Sequence, residues 1–207
     1  MLASKPYHRI AYFCAMHDIE PYYQWIDAYV AAEDERSPLY GRNYDEFYFT
    51  NTIYNYYIHP QWDAFGSNTL YLKILYVDYD LHYAIIELIG EWNDCIYMDI
   101  MTLRREITDL LQSEGITHFI LICENVLNYH AAEDNSYYEE WYDEVSDEGG
   151  WVAVINPLKH VAEEMNKFDL GQYIHLLIGA DWRGRKPRAL YKWVDNQISS
   201  LKFLRVG

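Results

Sequence analysis

Cys123 closes an apolar run, and Glu124, Asn128 and His130 follow it within seven positions. A thiol, an imidazole and a carboxylate in one stretch are the parts of a cysteine hydrolase, in which the imidazole removes the thiol proton. Cys123 and His130 are therefore the candidate catalytic residues. No nucleophile elbow or helix-terminus cue accompanies them, and a buried structural cysteine is the favoured reading. A second feature is the segment Asp181-Trp182-Arg183-Gly184-Arg185-Lys186-Pro187-Arg188. Arg183, Arg185, Lys186 and Arg188 crowd the start of a helix, where cations oppose the dipole unless an anion is bound. They are the candidate ligand site, for a small anionic ligand.

Between Glu133 and Glu148 there are eight acidic residues and no basic one. Hard cations want several oxygens, but the order Asp-x-Asp-x-Asp-Gly of a calcium loop is absent. Most of these acids fall on the outer face of an amphipathic helix. Tyr138, Glu139, Glu140, Asp143 and Glu144 are thus read as an interaction face for basic groups. His82, His118 and His175 lie on separate strands, and nothing in their spacing brings three or four ligands to one point. No metal and no cofactor is expected.

The chain has 207 residues, of which 51% are hydrophobic and 17% aromatic, enough for one ordinary core or one core with an added subdomain, and too apolar for disorder. It is tyrosine-rich, with 22 tyrosines, which suit half-buried strands and wet interfaces. A net charge of −16 excludes a nucleic-acid binder, which needs a basic surface. The charge is uneven. Residues 70–178 carry 5 Lys or Arg against 21 Asp or Glu, whereas residues 179–207 carry 7 against 2. The basic C-terminal segment is expected to dock on the acidic helix. Three widely spaced cysteines (Cys14, Cys95 and Cys123) form no CxxC pattern and suit a reducing compartment. The first residues lack a signal-peptide core and no run is long enough to cross a bilayer. A soluble, cytoplasmic protein is expected, without membrane association.

The elements that must position these residues read strand, strand, helix, strand, helix, strand, helix, strand, helix. Leu70 to Val77 and His82 to Gly90 form a hairpin, with Leu70, Leu72, Ile74 and Tyr76 on one face. Asn93 or Asp94 caps a helix whose apolar face is Ile96, Ile100, Leu103, Ile107 and Leu110, stopped by Gly115. Ile116 to Cys123 is a buried strand, followed by a loop that carries His130. Ser136 and Glu139 form a capping box for the acidic helix. Trp151 to Ile155 and Tyr173 to Ile178 are strands around a helix that opens near Pro157 and closes at Gly171. A last helix from Pro187 buries Leu190, Val194, Ile198 and Leu201. Helices packed on a mixed, mostly parallel sheet follow, with the first strand antiparallel at one side. Ile86, Ile100, Leu103, Leu121 and Val154 form the core.

Residues 1–69 are an aromatic N-terminal extension packed on the main domain, residues 70–207. A short helix after Glu20-Pro21, a strand within Phe47 to Ile58, and a turn at Gly66 are expected there. Its aromatic residues, Trp25, Phe47, Tyr54 and Trp62 among them, need cover. Either they close an edge or face of the sheet, or they pair with a second copy as a homodimer.

The hairpin followed by helix–strand units, the run Ala84 to Glu91 entering a helix, and Phe119-Ile120-Leu121-Ile122-Cys123-Glu124-Asn125-Val126 as middle strand resemble the STAS and SpoIIAA-like fold of anti-anti-sigma factors. The resemblance covers residues 70–204. It implies an α/β domain that binds a protein partner, with a phosphorylatable serine followed by glycine after the middle strand. Here that stretch has no Ser-Gly pair, and Ser136 alone stands near the place. The functional expectation is a non-enzymatic protein-interaction or small-ligand-binding module. The alternative is a hydrolase with its site in the loops after the parallel strands.

Overall fold

The computed structural model describes residues 19–45, 48–53 and 56–206. The described part of residues 19–69 contains turns and two short antiparallel strands, β1 (Thr52–Ile53) and β2 (Tyr56–Tyr57). The stretch Gln24 to Ala28 forms turns where a helix was expected. Trp25 is buried while Ile26 is 57% exposed, so the apolar residues there do not share one helical stripe. Phe47, Tyr54 and Cys14, named above, lie outside the described residues.

A five-stranded sheet follows, ordered as in the chain: β3 (Leu70–Asp78), β4 (Tyr83–Asn93), β5 (His118–His130), β6 (Trp151–Ile155) and β7 (His175–Leu177). β3 is antiparallel to β4, and the remaining pairs are parallel. The hairpin turn is set by Asp78, whose Oδ1 accepts the amides of Asp80 (3.1 Å) and Leu81 (2.9 Å). All eleven residues of β4 are buried, as a strand covered on both faces must be.

One face of the sheet carries a helix made of α1 (Asp99–Leu103), a π-helical segment (Arg104–Thr108) and α2 (Asp109–Ser113), together with α3 (Ser136–Asp147) and α4 (Lys159–Lys167). The opposite face is covered by α5 (Pro187–Val206), packed on Tyr83, Ile85, Ile120 and Ile155. Beyond α5 it is covered by Ile53, Ile58 and Trp62, which pack on Tyr71 and Ile89. Ala31, Leu39 and Phe65 join the core under the other face, and Asp63 bridges to Leu72 on the outer edge of β3. Residues 19–69 therefore pass around that edge and touch both faces. At Gly90 (φ 117°) an added Cβ would meet the Thr69 carbonyl oxygen at 2.2 Å and Ile53 at 2.5 Å, so only glycine admits this close crossing.

The predicted core residues Ile86, Ile100, Leu103, Leu121 and Val154 are all at most 3% exposed in one cluster. Several boundaries differ from expectation, each for a local reason. The π-helical segment adds a residue to its turn and shifts the helical phase, so Leu111 is buried and Leu110 is 46% exposed. Ile96 precedes the helix and is 70% exposed. A register shift between Ile74 and Tyr76 turns Val77 to the inner face and sends Tyr76 to the α5 side. Ser136 is the first helical residue, with Asn135 as cap and no side-chain cap bond, so no capping box forms. Asp169 (φ 57°), not Gly171, takes the left-handed conformation after α4. Leu201 on α5 is 43% exposed.

Candidate functional site

β4 and β5 stay paired from Tyr83–His118 to Asn93–His130, whereas β6 matches β5 only as far as Ile122. The carboxyl halves of β4 and β5 thus project beyond the rest of the sheet, and His130 ends a strand instead of lying in a loop. Strand ends of this kind are where open α/β sheets present ligand-binding groups. A cleft of about 650 Å³ opens there, lined by Thr69, Glu91, Asn93, Cys95, His130 and Glu164, with Ile96 and Tyr97 on its rim. Glu91 is nearly buried and its Oε1 is paired with His130 Nε2. The side chain of His130 is 47% exposed. Cys95 is exposed in the same cleft, and its amide donates to the His130 carbonyl (3.2 Å).

Beneath the cleft, Asp94 is 1% exposed and accepts four hydrogen bonds. Its Oδ1 takes Trp92 Nε1 (2.9 Å) and the Ile100 amide (2.8 Å), and its Oδ2 takes the hydroxyls of Tyr138 (2.6 Å) and Tyr129 (3.1 Å). Burial pushes its carboxyl up to about 6, and the Tyr138 and backbone hydrogen bonds hold the rise in check. The N-cap of α1 is Met98, not the expected Asn93 or Asp94, although Asp94 still takes the Ile100 amide from six residues upstream. Asn93 Oδ1 holds the Ile96 amide (2.9 Å), and Asp99 Oδ2 holds the Asn93 amide (2.7 Å). Met98 (φ 54°) then turns the chain into α1. These bonds fix the loop that displays Ile96 (70% exposed) and Tyr97 (41%).

The candidate Cys123–His130 pair does not form, and the buried structural cysteine is what the fold contains. Cys123 is fully buried among apolar side chains, which push its thiol well above the ordinary range. His130 lies seven positions further along β5, roughly 23 Å away at ~3.3 Å per residue. Glu124 does not assist either. Glu124 accepts Asn156 Nδ2 (2.7 Å), Trp182 Nε1 (2.8 Å) and Arg183 Nη2 (3.1 Å).

The acidic helix is also redistributed. Tyr138 is 2% exposed and belongs to the Asp94 cluster, so it is no surface residue. Glu140 and Glu144 receive Arg104, at 2.9 and 2.6 Å, and Asp109 receives its Nε at 3.2 Å. Arg104 is 4% exposed, and the π-helical turn carries it against α3. Glu139 and Asp143 remain exposed, beside a shallow depression shared with Glu140 and Glu144.

The basic segment does not reach this helix. α3 packs on one face of the sheet and α5 on the other. Arg183 instead meets Glu124 (3.1 Å) and Glu87 (3.7 Å), and Arg185 Nε donates to the Asp181 carbonyl (2.8 Å). Lys186 and Arg188 are exposed.

Glu87 was missed. The signal was an acid inside the apolar run Ala84 to Ile89. It is 1% exposed, accepts the Tyr22 amide (2.8 Å), and is pushed up to about 7 by burial, with Arg183 and the Tyr22 amide lowering it and Glu124 raising it. Its neutral form is favoured in the folded chain, so its contribution to stability falls as pH rises from about 4.5 to about 7. Glu87→Gln is expected to leave stability unchanged near pH 4 and to raise it by about 3 kcal/mol at pH 8. Urea midpoints at the two pH values check this, and an equal difference at both would refute it.

No family model and no curated protein matches the chain. Among solved structures, a Thermotoga maritima protein described as an anti-sigma factor antagonist is similar. It is 16% identical, with a TM-score of 0.38, over 51% of this chain and 83% of that one. Among the described residues, no helix is long and apolar enough to cross a membrane.

Proposed function

We propose that this chain is a non-enzymatic interaction module that takes up a basic, partly apolar segment of another protein across the cleft at the ends of β4 and β5. The observation that carries this reading is the pairing of two exposed apolar side chains, Ile96 and Tyr97, with a cleft lined by Glu91 and Glu164. Exposed apolar groups rimmed by polar ones mark docking surfaces, and carboxylates select a cationic partner. A second copy of this chain, at −16, is repelled from the same cleft. The extension forms one unit with the sheet domain in this reading.

A titration of the ¹⁵N-labelled chain with a peptide of about ten alternating lysines and leucines tests it. Amide shifts are expected at Cys95 to Met98 and at His130. They should weaken with salt, because charges at an exposed cleft are screened over roughly 10 Å at 0.1 M. They should also be lost in the Ile96→Asp/Tyr97→Asp variant. Shifts centred elsewhere, or equal binding of a glutamate–leucine peptide, would overturn the reading.

A further inference from the structure

A separate constellation lies on the α5 side of the sheet. The Arg183 guanidinium sits 4.5 Å from the Trp182 ring centre and 5.7 Å from that of Tyr22. The two rings are themselves edge to face, with centres 4.7 Å apart. Two carboxylates from neighbouring strands converge on the same nitrogen, Glu124 at 3.1 Å and Glu87 at 3.7 Å. Aromatic faces plus carboxylates are what a planar cation requires for recognition.

Each acceptor has an anchor of its own. Glu124 is held by Trp182 Nε1 and Asn156 Nδ2, and Glu87 by the Tyr22 amide. Their placement does not depend on Arg183. The occupant, by contrast, fits poorly. Arg183 is half exposed and, among the described residues, engages both acids through Nη2 alone, without the two-pronged geometry that makes guanidinium–carboxylate pairs strong. It stands on a short loop between β7 and α5, next to Gly184.

We infer that Glu87, Glu124, Trp182 and Tyr22 form a guanidinium-binding site that Arg183 fills from within the chain, and from which an arginine side chain of a protein partner displaces it. Arg183 acts as a tethered competitor, so the site has lower apparent affinity in the intact chain than after the tethered cation is removed. The site is on the face opposite α3 and shares no residue with the cleft, so it stands or falls independently of the docking reading above.

The test is calorimetric titration of the full chain at pH 8 with N-acetyl-arginine amide, repeated with N-acetyl-lysine amide. Arg183→Ala and Arg183→Gln, the latter keeping most of the side-chain bulk, are each expected to bind the arginine probe at least tenfold more tightly than the unaltered chain. Both should prefer it at least tenfold over the lysine probe. Adding Glu87→Gln or Glu124→Gln should abolish the gain, and these amides still accept the anchoring hydrogen bonds. Three results would each overturn the inference: no gain on removing Arg183, equal binding of the lysine probe, or a gain that survives loss of either carboxylate.

Discussion

Asp94→Ala is expected to lower the unfolding free energy by about 4 kcal/mol, because a buried donor left without its acceptor costs roughly 1–3 kcal/mol and three side-chain donors are involved. Trp92 Nε1 and the hydroxyls of Tyr129 and Tyr138 all point at this one carboxylate, and the Ile100 amide makes a fourth bond. The cluster joins the ends of β4 and β5 to the starts of α1 and α3, so the loss spreads beyond a single contact. Asp94→Asn keeps the volume and one acceptor and should lose about half as much. Urea denaturation with near-ultraviolet circular dichroism, which reports the tyrosine and tryptophan environment, measures both. A loss below about 1 kcal/mol for the alanine variant would show that the buried donors find other partners. The same substitution frees the loop carrying Ile96 and Tyr97, so binding of the lysine–leucine peptide should weaken with it.

Deleting residues 1–65 should have a still larger effect. Ile53, Ile58 and Trp62, each at most 2% exposed, cover Tyr71 and Ile89, and Ala31, Leu39 and Phe65 complete the core on the other face. The truncated chain exposes a contiguous apolar surface of the several hundred square ångströms that drive association. It also leaves the outer edge of β3 without its bridge to Asp63. An aggregating product that binds a hydrophobic dye is expected in size-exclusion and dye-fluorescence measurements. A monomeric, soluble product of equal stability would show the extension to be a separate module.

The parts of the fold that were legible are those whose signal is local. The apolar period of Ile100, Leu103 and Ile107, and of Leu190, Val194 and Ile198, reports a helix face within a few turns. The unbroken apolar run of β4 reports burial on both sides. Where a partner decides, the same signals mislead. Leu110 keeps the helical period, yet the π-helical turn around Arg104 puts Leu111 inside. Tyr76 keeps the strand alternation, yet a bulge against β4 turns it to the α5 face. His130 follows residues with loop character, yet β4 continues alongside and keeps it in a strand.

The candidate site was less legible still. Glu91 and His130 are 39 residues apart, and Glu124 and Arg183 are 59 apart. No spacing within either segment announces such a meeting. The acidic stretch around Glu140 was visible in the sequence, but its cation, Arg104, was not assigned to it. The sequence by itself determined the order and kind of elements, the acidic body with its basic end, and the buried character of Cys123, because composition and periodicity are properties of neighbouring residues. Which carboxylate meets which cation was decided only when parallel register set β4 beside β5 and the sheet separated α3 from α5. Pairing across a sheet depends on distance in space, and charge in a sequence carries no record of the face on which it will lie.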